Sequence, residues 1–147
     1  MRGWIETGRG VVYPWHCDHL GHMNVQHYVG FFDIGAFHLM SQLGFTSHNM
    51  HDLGATLVDA QHTIRYRHEQ KVGSLIKIES AITRIGTKSI TCLHRMTNTE
   101  TADLAATTEI VMVYFDLKAR SSLPVPQELR ARAEAFLLSA EEQAALA

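Results

Sequence analysis

Only two cysteines, Cys17 and Cys92, occur in 147 residues, too few for a disulfide framework to hold the fold. No apolar run approaches the length of about 18 residues that a membrane span requires. The N-terminal Met1-Arg2-Gly3-Trp4-Ile5-Glu6 has no apolar stretch of a signal peptide behind its positive charge. These absences together set the reducing cytoplasm as the expected compartment. Charge of one sign is lacking too, since 13 basic and 15 acidic side chains leave a formal charge of −2. No field across the protein recruits polyanions, so neither nucleic acid nor an acidic membrane is expected as a partner. There is no internal repeat and no low-complexity segment. What is present is 46% hydrophobic and 19% charged residues, the balance of a soluble globular protein long enough to bury its own core. One domain over residues 1–147 is the expectation.

The hydrophobic pattern changes period along the chain. Gly10 to Trp15 reads as a short strand that Pro14 pushes towards an edge or an end. Val25, Tyr28, Val29, Phe32, Ala36, Leu39, Met40 and Leu43 then recur at steps of three and four, one face of a helix. Phe31, Ile34 and Phe37 make that helix apolar over most of its circumference, so it needs protein on most sides. Asn24 suits its N-cap and Gly44 its end. Asp33 on such a helix needs a partner, and a structural pairing is expected. Period-two alternation follows in Thr56–Tyr66, around Ile76, Ile78 and Ile82, in Ile90–Met96 and in Leu104–Phe115. The turns are "RIGTKS" and "TNTETAD"; "LPVP" breaks the chain before a short helix, roughly 127–138, with Pro126 in its first turn. The expected fold is therefore α+β: an antiparallel sheet of about five strands curved around one long helix, with a short C-terminal helix.

The chemistry concentrates in "CDHLGHMNVQHYVGFFD", from Cys17 to Asp33. Asp18 falls where the first strand runs out, facing the unpaired N–H groups and positive end of the helix. Those donors can stabilise an oxyanion on a carbonyl while the carboxylate attacks it or activates water, an arrangement suited to acyl transfer. Gly21 lets backbone come near a ligand without a Cβ in the way. The plainer reading makes Asp18 a turn residue, with His22 and Asn24 satisfying backbone groups at the helix mouth. A sharper rival is a metal held by His16, His19 and His22, although neither H-E-x-x-H nor Cys-x-x-Cys is present. Cys17 is expected to be a packed thiol, Tyr28 a packing residue with its hydroxyl at the pocket wall, and Trp4 and Trp15 edge or interface residues. Arg84 and Lys88 flank the turn at Gly86, and Arg65, Arg67 and Lys71 gather elsewhere. Phosphates of a bound nucleotide need donors of this kind.

"D-x-x-G-H-x-N-x-x-x-Y" (Asp18, Gly21, His22, Asn24, Tyr28) with Phe31-Phe32-Asp33 resembles the active-site segment of hotdog-fold acyl-CoA thioesterases, in particular the 4-hydroxybenzoyl-CoA thioesterase-like group and its acyl-carrier-protein relatives. "YRHEQKVGSLIKIESAITRIGTKSI" and "FDLKARSSLPVP" resemble that group's following hairpin and closing strand, so the likeness runs from about Gly10 to about Pro126. Cys17 stands where Thr or Ser is common and Ser74 where Asp or Glu is common. The resemblance implies a thioesterase cleaving an acyl-CoA or acyl-carrier-protein thioester without cofactor or metal. It implies that Asp18 is nucleophile or general base, that the Val25 N–H polarises the carbonyl, and that His22 and Asn24 orient water or thioester. Gly21, Tyr28, Arg84 and Lys88 would meet the substrate. A homodimer or homotetramer with sites between subunits is also implied. A non-catalytic acyl-CoA binding protein on the same fold is the alternative, and a metal-dependent hydrolase a weaker one.

Overall fold

A computed structural model describes residues 3–146. The elements run β1 (Ile5–Val11), a 3-10 turn (Pro14–His16), α1 (Val25–Gln42), α2 (Met50–Leu53), β2 (Ala55–Tyr66), β3 (Leu75–Ile85), β4 (Ser89–Asn98), β5 (Leu104–Asp116), β6 (Ser121–Ser122), α3 (Gln127–Glu134) and α4 (Ala140–Ala144). All strands pair antiparallel in one sheet of order β1-β3-β4-β5-β2, with β6 added to β5. Bulges in β1, β2, β3 and β5 bend and twist the ladder, and α1 packs on β1, β3 and β4.

Three expectations are corrected. The first strand lies at Ile5–Val11, not Gly10–Trp15, because Pro14 has no N–H for a ladder and instead opens the 3-10 turn. The C-terminal helix stops at Glu134; Phe136 and Leu138 bond across to Ile82 on β3, and a separate short helix follows. Pro126 is its N-cap rather than a residue of its first turn. Within one chain α1 is also less enclosed than its composition suggests. Tyr28, Phe32, Gly35 and Leu39 are buried, but Val25, Val29, Ile34 and Phe37 are exposed.

The helix-facing residues of the sheet form two apolar clusters. One gathers Leu39, Leu43, Ile82, Cys92, Ile110 and Leu129; the other gathers Val12, Tyr28, Phe32, Ile78, Met96 and Ala106. Between them runs a polar belt. Ser80, His94 and Thr108 face one another across β3, β4 and β5. Thr7 on β1 bonds Ser80 (2.7 Å), Ser80 bonds His94 Nδ1, and Cys92 Sγ lies 3.3 Å from His94 Nε2. All five are buried, and the Thr108 hydroxyl has no partner among the described residues.

Gly35 is where α1 crosses this belt. A Cβ there would lie 2.7 Å from Ile78 Cγ2 and 3.0 Å from Thr7 Oγ1, whereas one at Gly30 on the same helix would meet nothing within 4 Å. Gly35→Ala is therefore expected to destabilise by about 1–2 kcal/mol, overpacking outweighing the gain in helix propensity. Gly30→Ala should stabilise by up to about 1 kcal/mol. Urea denaturation of both variants reads the two signs, and equal effects would contradict this packing.

Candidate active site

The site is assembled by short-range bonds after β1. Val12 and Gly73 pin the chain to the start of β3, the Val12 N–H donating to Ser74 O (3.0 Å) and the Gly73 N–H to Val12 O (2.7 Å). Cys17 then pairs with Met23 and His22 with Lys71, closing a loop around Asp18. The Asp18 N–H donates to His22 O (3.3 Å) and the Gly21 N–H to Asp18 O (3.0 Å). Gly21 has a φ of +86°, the left-handed region that favours glycine, and the space in its Cβ direction is open, with nothing within 4 Å. Ser74 sits in a turn, its N–H on Lys71 O, so its departure from the family pattern touches no site group.

Asn24 joins the loop to the helix. Its Oδ1 caps α1 by accepting from the Gln26 N–H (3.0 Å), its N–H donates to His16 O (2.9 Å), and its amide donates to Asp18 Oδ2 (2.8 Å). The other Asp18 oxygen accepts from the Leu20 N–H (2.9 Å), so the carboxylate both shapes a turn and faces the helix start. The bond from Asn24 first, then that from Leu20, holds its pKa below the ordinary carboxylate value. An ionised Asp18 thus lies one residue from the Val25 N–H, which makes no hydrogen bond among the described residues. A fixed anion beside a free helix-terminal donor can act on a carbonyl, with the donor receiving the charge that develops on oxygen.

Asn24→Ala is expected to cost about 1 kcal/mol of stability through the lost cap and to raise the Asp18 pKa. Asn24→Ser, which keeps a cap oxygen without the amide, should raise that pKa with less loss of stability. Carboxyl 13C titration and urea melts separate the two roles; an unmoved Asp18 titration in both variants would contradict the assignment.

The remaining residues divide between those the fold gathers here and those it does not. Tyr28 is buried edge-on to Tyr66 (5.0 Å), its pKa raised chiefly by burial. His16 stands in an aromatic cluster with Trp15, His27 and Phe31, its Nδ1 accepting from the Tyr13 N–H. Burial first, then His27, lowers its pKa. His22 points its Nε2 at Glu69 Oε1, 3.3 Å away. The metal reading through His16, His19 and His22 is corrected on this ground, since no three His, Cys, Asp or Glu side chains converge on a common point among the described residues. Within one chain the fold does not bring Arg84 and Lys88 to Asp18. The site lies at the Leu75 end of β3, and the hairpin at Gly86 lies at the other end, roughly 30 Å along an eleven-residue strand. That hairpin binds α3 instead, the Arg130 guanidinium donating to Gly86 O (2.7 Å). Asp33 has no ion pair among the described residues because it faces outward on α1. Trp4 lies under the Arg95 guanidinium (4.0 Å) and Trp15 stacks on Tyr13 (4.5 Å), so they share no cage. Glu69 carries no motif that would have marked it.

This helix-terminal site on a sheet of order β1-β3-β4-β5-β2 has known counterparts. Residues 12–133 match the family described as the thioesterase-like superfamily. The chain belongs to that superfamily. Its fold is the hotdog fold of thioester hydrolases, as expected. No curated protein sequence matches it. Among solved structures, YbaW of Escherichia coli, described as a probable thioesterase, is 22% identical with a TM-score of 0.76, covering 89% of this chain and 98% of that one. SAV2348 of Staphylococcus aureus, solved in complex with CoA, is 18% identical with a TM-score of 0.82, covering 93% and 89%. Slr0204 of Synechocystis, a 1,4-dihydroxy-2-naphthoyl-CoA thioesterase, is 18% identical with a TM-score of 0.75, covering 89% and 96%. Among the described residues no helix is long and apolar enough to cross a membrane.

Proposed function

We propose that the protein hydrolyses an acyl thioester of coenzyme A at the start of α1. The observation that supports this reading is the bond from Asn24, itself the cap of α1, to the Asp18 carboxylate, which ties an anion to the residue before Val25, whose N–H makes no hydrogen bond among the described residues. The thioester carbonyl oxygen accepts from Val25, and the α1 dipole stabilises the oxyanion. Asp18 faces the carbonyl carbon. Two hydrogen bonds and a lowered pKa make it a weak proton acceptor, which favours attack on carbon or alignment of water over proton abstraction. The acyl group lies along the exposed apolar flank of α1 from Val25 to Val29, and the thiolate leaves without needing a metal or cofactor. Thiol release from a panel of aliphatic and aromatic acyl-CoA esters tests this directly. Turnover of at least one ester is expected; binding of these esters without any thiol release would replace hydrolysis by the non-catalytic alternative.

Exposed surface on separate parts of the chain, α1 and the β2 edge, supports assembly with a second copy. Among the described residues β2 pairs only with β5, leaving the other edge of this twelve-residue strand open, and Val25, Val29, Ile34 and Phe37 are exposed on α1. An open strand edge and exposed apolar helix surface are each normally covered. Sedimentation equilibrium is expected to give at least twice the 16.5 kDa chain mass, and Phe37→Glu to weaken the assembly. A monomer at micromolar concentration would contradict it.

A further inference from the structure

A thioesterase whose Asp18 is a weak base needs another group to take the proton of the attacking water. Two imidazoles, those of His19 and His22, are close enough for their charge to reach Asp18, and of these only His22 has a carboxylate partner among the described residues. His22 accepts from the Asp18 N–H through its backbone carbonyl (3.3 Å), its positive charge when protonated is felt at Asp18, and its ring is largely enclosed. Its Nε2 is 3.3 Å from Glu69 Oε1. The segment carrying Glu69 is locked from beneath. The Arg67 and His68 N–H groups both donate to Ala105 O (2.8 and 3.1 Å). Gln70, 2% exposed, donates through Nε2 to His68 O and Glu69 O and accepts from Asn98 through Oε1 (3.0 Å). Its carbonyl accepts from the Met23 N–H (2.7 Å), next to His22. A buried amide thus clamps an exposed carboxylate against a histidine whose charge reaches Asp18. Such an exposed pair contributes little to stability, so its value lies in fixing which ring nitrogen carries the proton.

We propose that Glu69 is a positioning residue for catalysis, holding the His22 proton on Nε2 so that Nδ1 is the acceptor for the attacking water. This rests on the thioesterase reading. In the step it serves, a water O–H bond breaks and its proton moves to Nδ1 while the oxygen bonds to the acyl carbon. Collapse of the adduct returns the electron pair to the leaving group, and the imidazolium proton passes to the departing thiolate. No oxidant, reductant or further reactant enters.

The test compares wild type with Glu69→Ala and Glu69→Asp by steady-state thiol release and by 15N NMR of the His22 ring. For Glu69→Ala we expect kcat to fall on the order of 10- to 100-fold with KM nearly unchanged, an unaltered melting temperature, and loss of the Nε2–H tautomer signature. Glu69→Asp should recover part of kcat and of that signature. A wild-type tautomer signature in Glu69→Ala, or a change in KM with kcat intact, would overturn the proposal. A wild-type chain that shows the Nε2–H signature yet releases no thiol from any ester would overturn the thioesterase reading and leave the Glu69–His22 pairing in place.

Discussion

Asp18→Asn is expected to lower kcat for acyl-CoA hydrolysis by at least about 10³-fold while leaving the fold and the affinity for substrate largely as they are. The substitution is nearly isosteric. The new side chain has one acceptor oxygen for two donors, so it can keep the bond from the Asn24 amide and loses the one from the Leu20 N–H, while the helix cap on Asn24 Oδ1 and the Cys17–Met23 bridge remain. What also disappears is the charge beside the Val25 N–H. If Asp18 were only a turn residue, held by the Leu20 N–H (2.9 Å), the variant would keep most of its activity. The two roles thus differ by orders of magnitude in one assay. Circular dichroism and a thermal melt accompany the kinetics, and an unfolded variant would show itself there rather than as a catalytic loss.

The second large effect concerns stability and pH. His94 is buried in the polar belt between Ser80 and Cys92, beneath Phe32 and Gly35, and beside the Thr108 hydroxyl; the nearest group that can carry like charge is His62 on β2. Burial, and secondarily His62, lowers its pKa from 6.5 to about 4. The unfolded chain therefore binds a proton that the folded chain refuses. This contribution is complete above pH 6.5 and is lost as the pH falls towards 4. Integrated over that window it amounts to about 3 kcal/mol. Urea denaturation as a function of pH should show wild type losing that amount more than His94→Asn, which has no titrating ring. Parallel pH profiles for the two proteins would contradict a buried neutral imidazole. Cys92 belongs to the same belt, and burial pushes its thiol up to about 12, so it stays protonated and inert throughout.

The long helix was legible because its spacing and its cap are local properties. Asn24 at the N-cap and the face of Tyr28, Phe32 and Leu39 are where the spacing places them. The sequence placed Asp18 and Asn24 together at the helix mouth, but the bond between them was not read from it. The first strand was misplaced because Gly10 to Trp15 mixes the end of a ladder with a turn, and only pairing with β3 separates them. That Arg84 and Lys88 lie, within one chain, at the far end of β3 from Asp18 was not visible, because local sequence does not say which end of a strand faces the helix start. Glu69 was missed for a related reason: it meets His22 through the docking of the β2–β3 connection, which buried Gln70 and Asn98 organise. The polar belt is visible in strand alternation only as isolated Ser80, His94 and Thr108. Register brings them into one row.

The outward face of α1 shows where single-chain reasoning stops. Composition calls for protein around Val29 and Phe37, and one chain does not supply it.

A crystal structure with an acyl-CoA analogue in which a methylene replaces the thioester sulfur tests the central claim most directly. The expected structure has the analogue's carbonyl oxygen about 3 Å from the Val25 nitrogen and its carbonyl carbon facing the Asp18 carboxylate. A ligand whose carbonyl lies elsewhere, with Asp18 still bound only to Leu20 and Asn24, would contradict it.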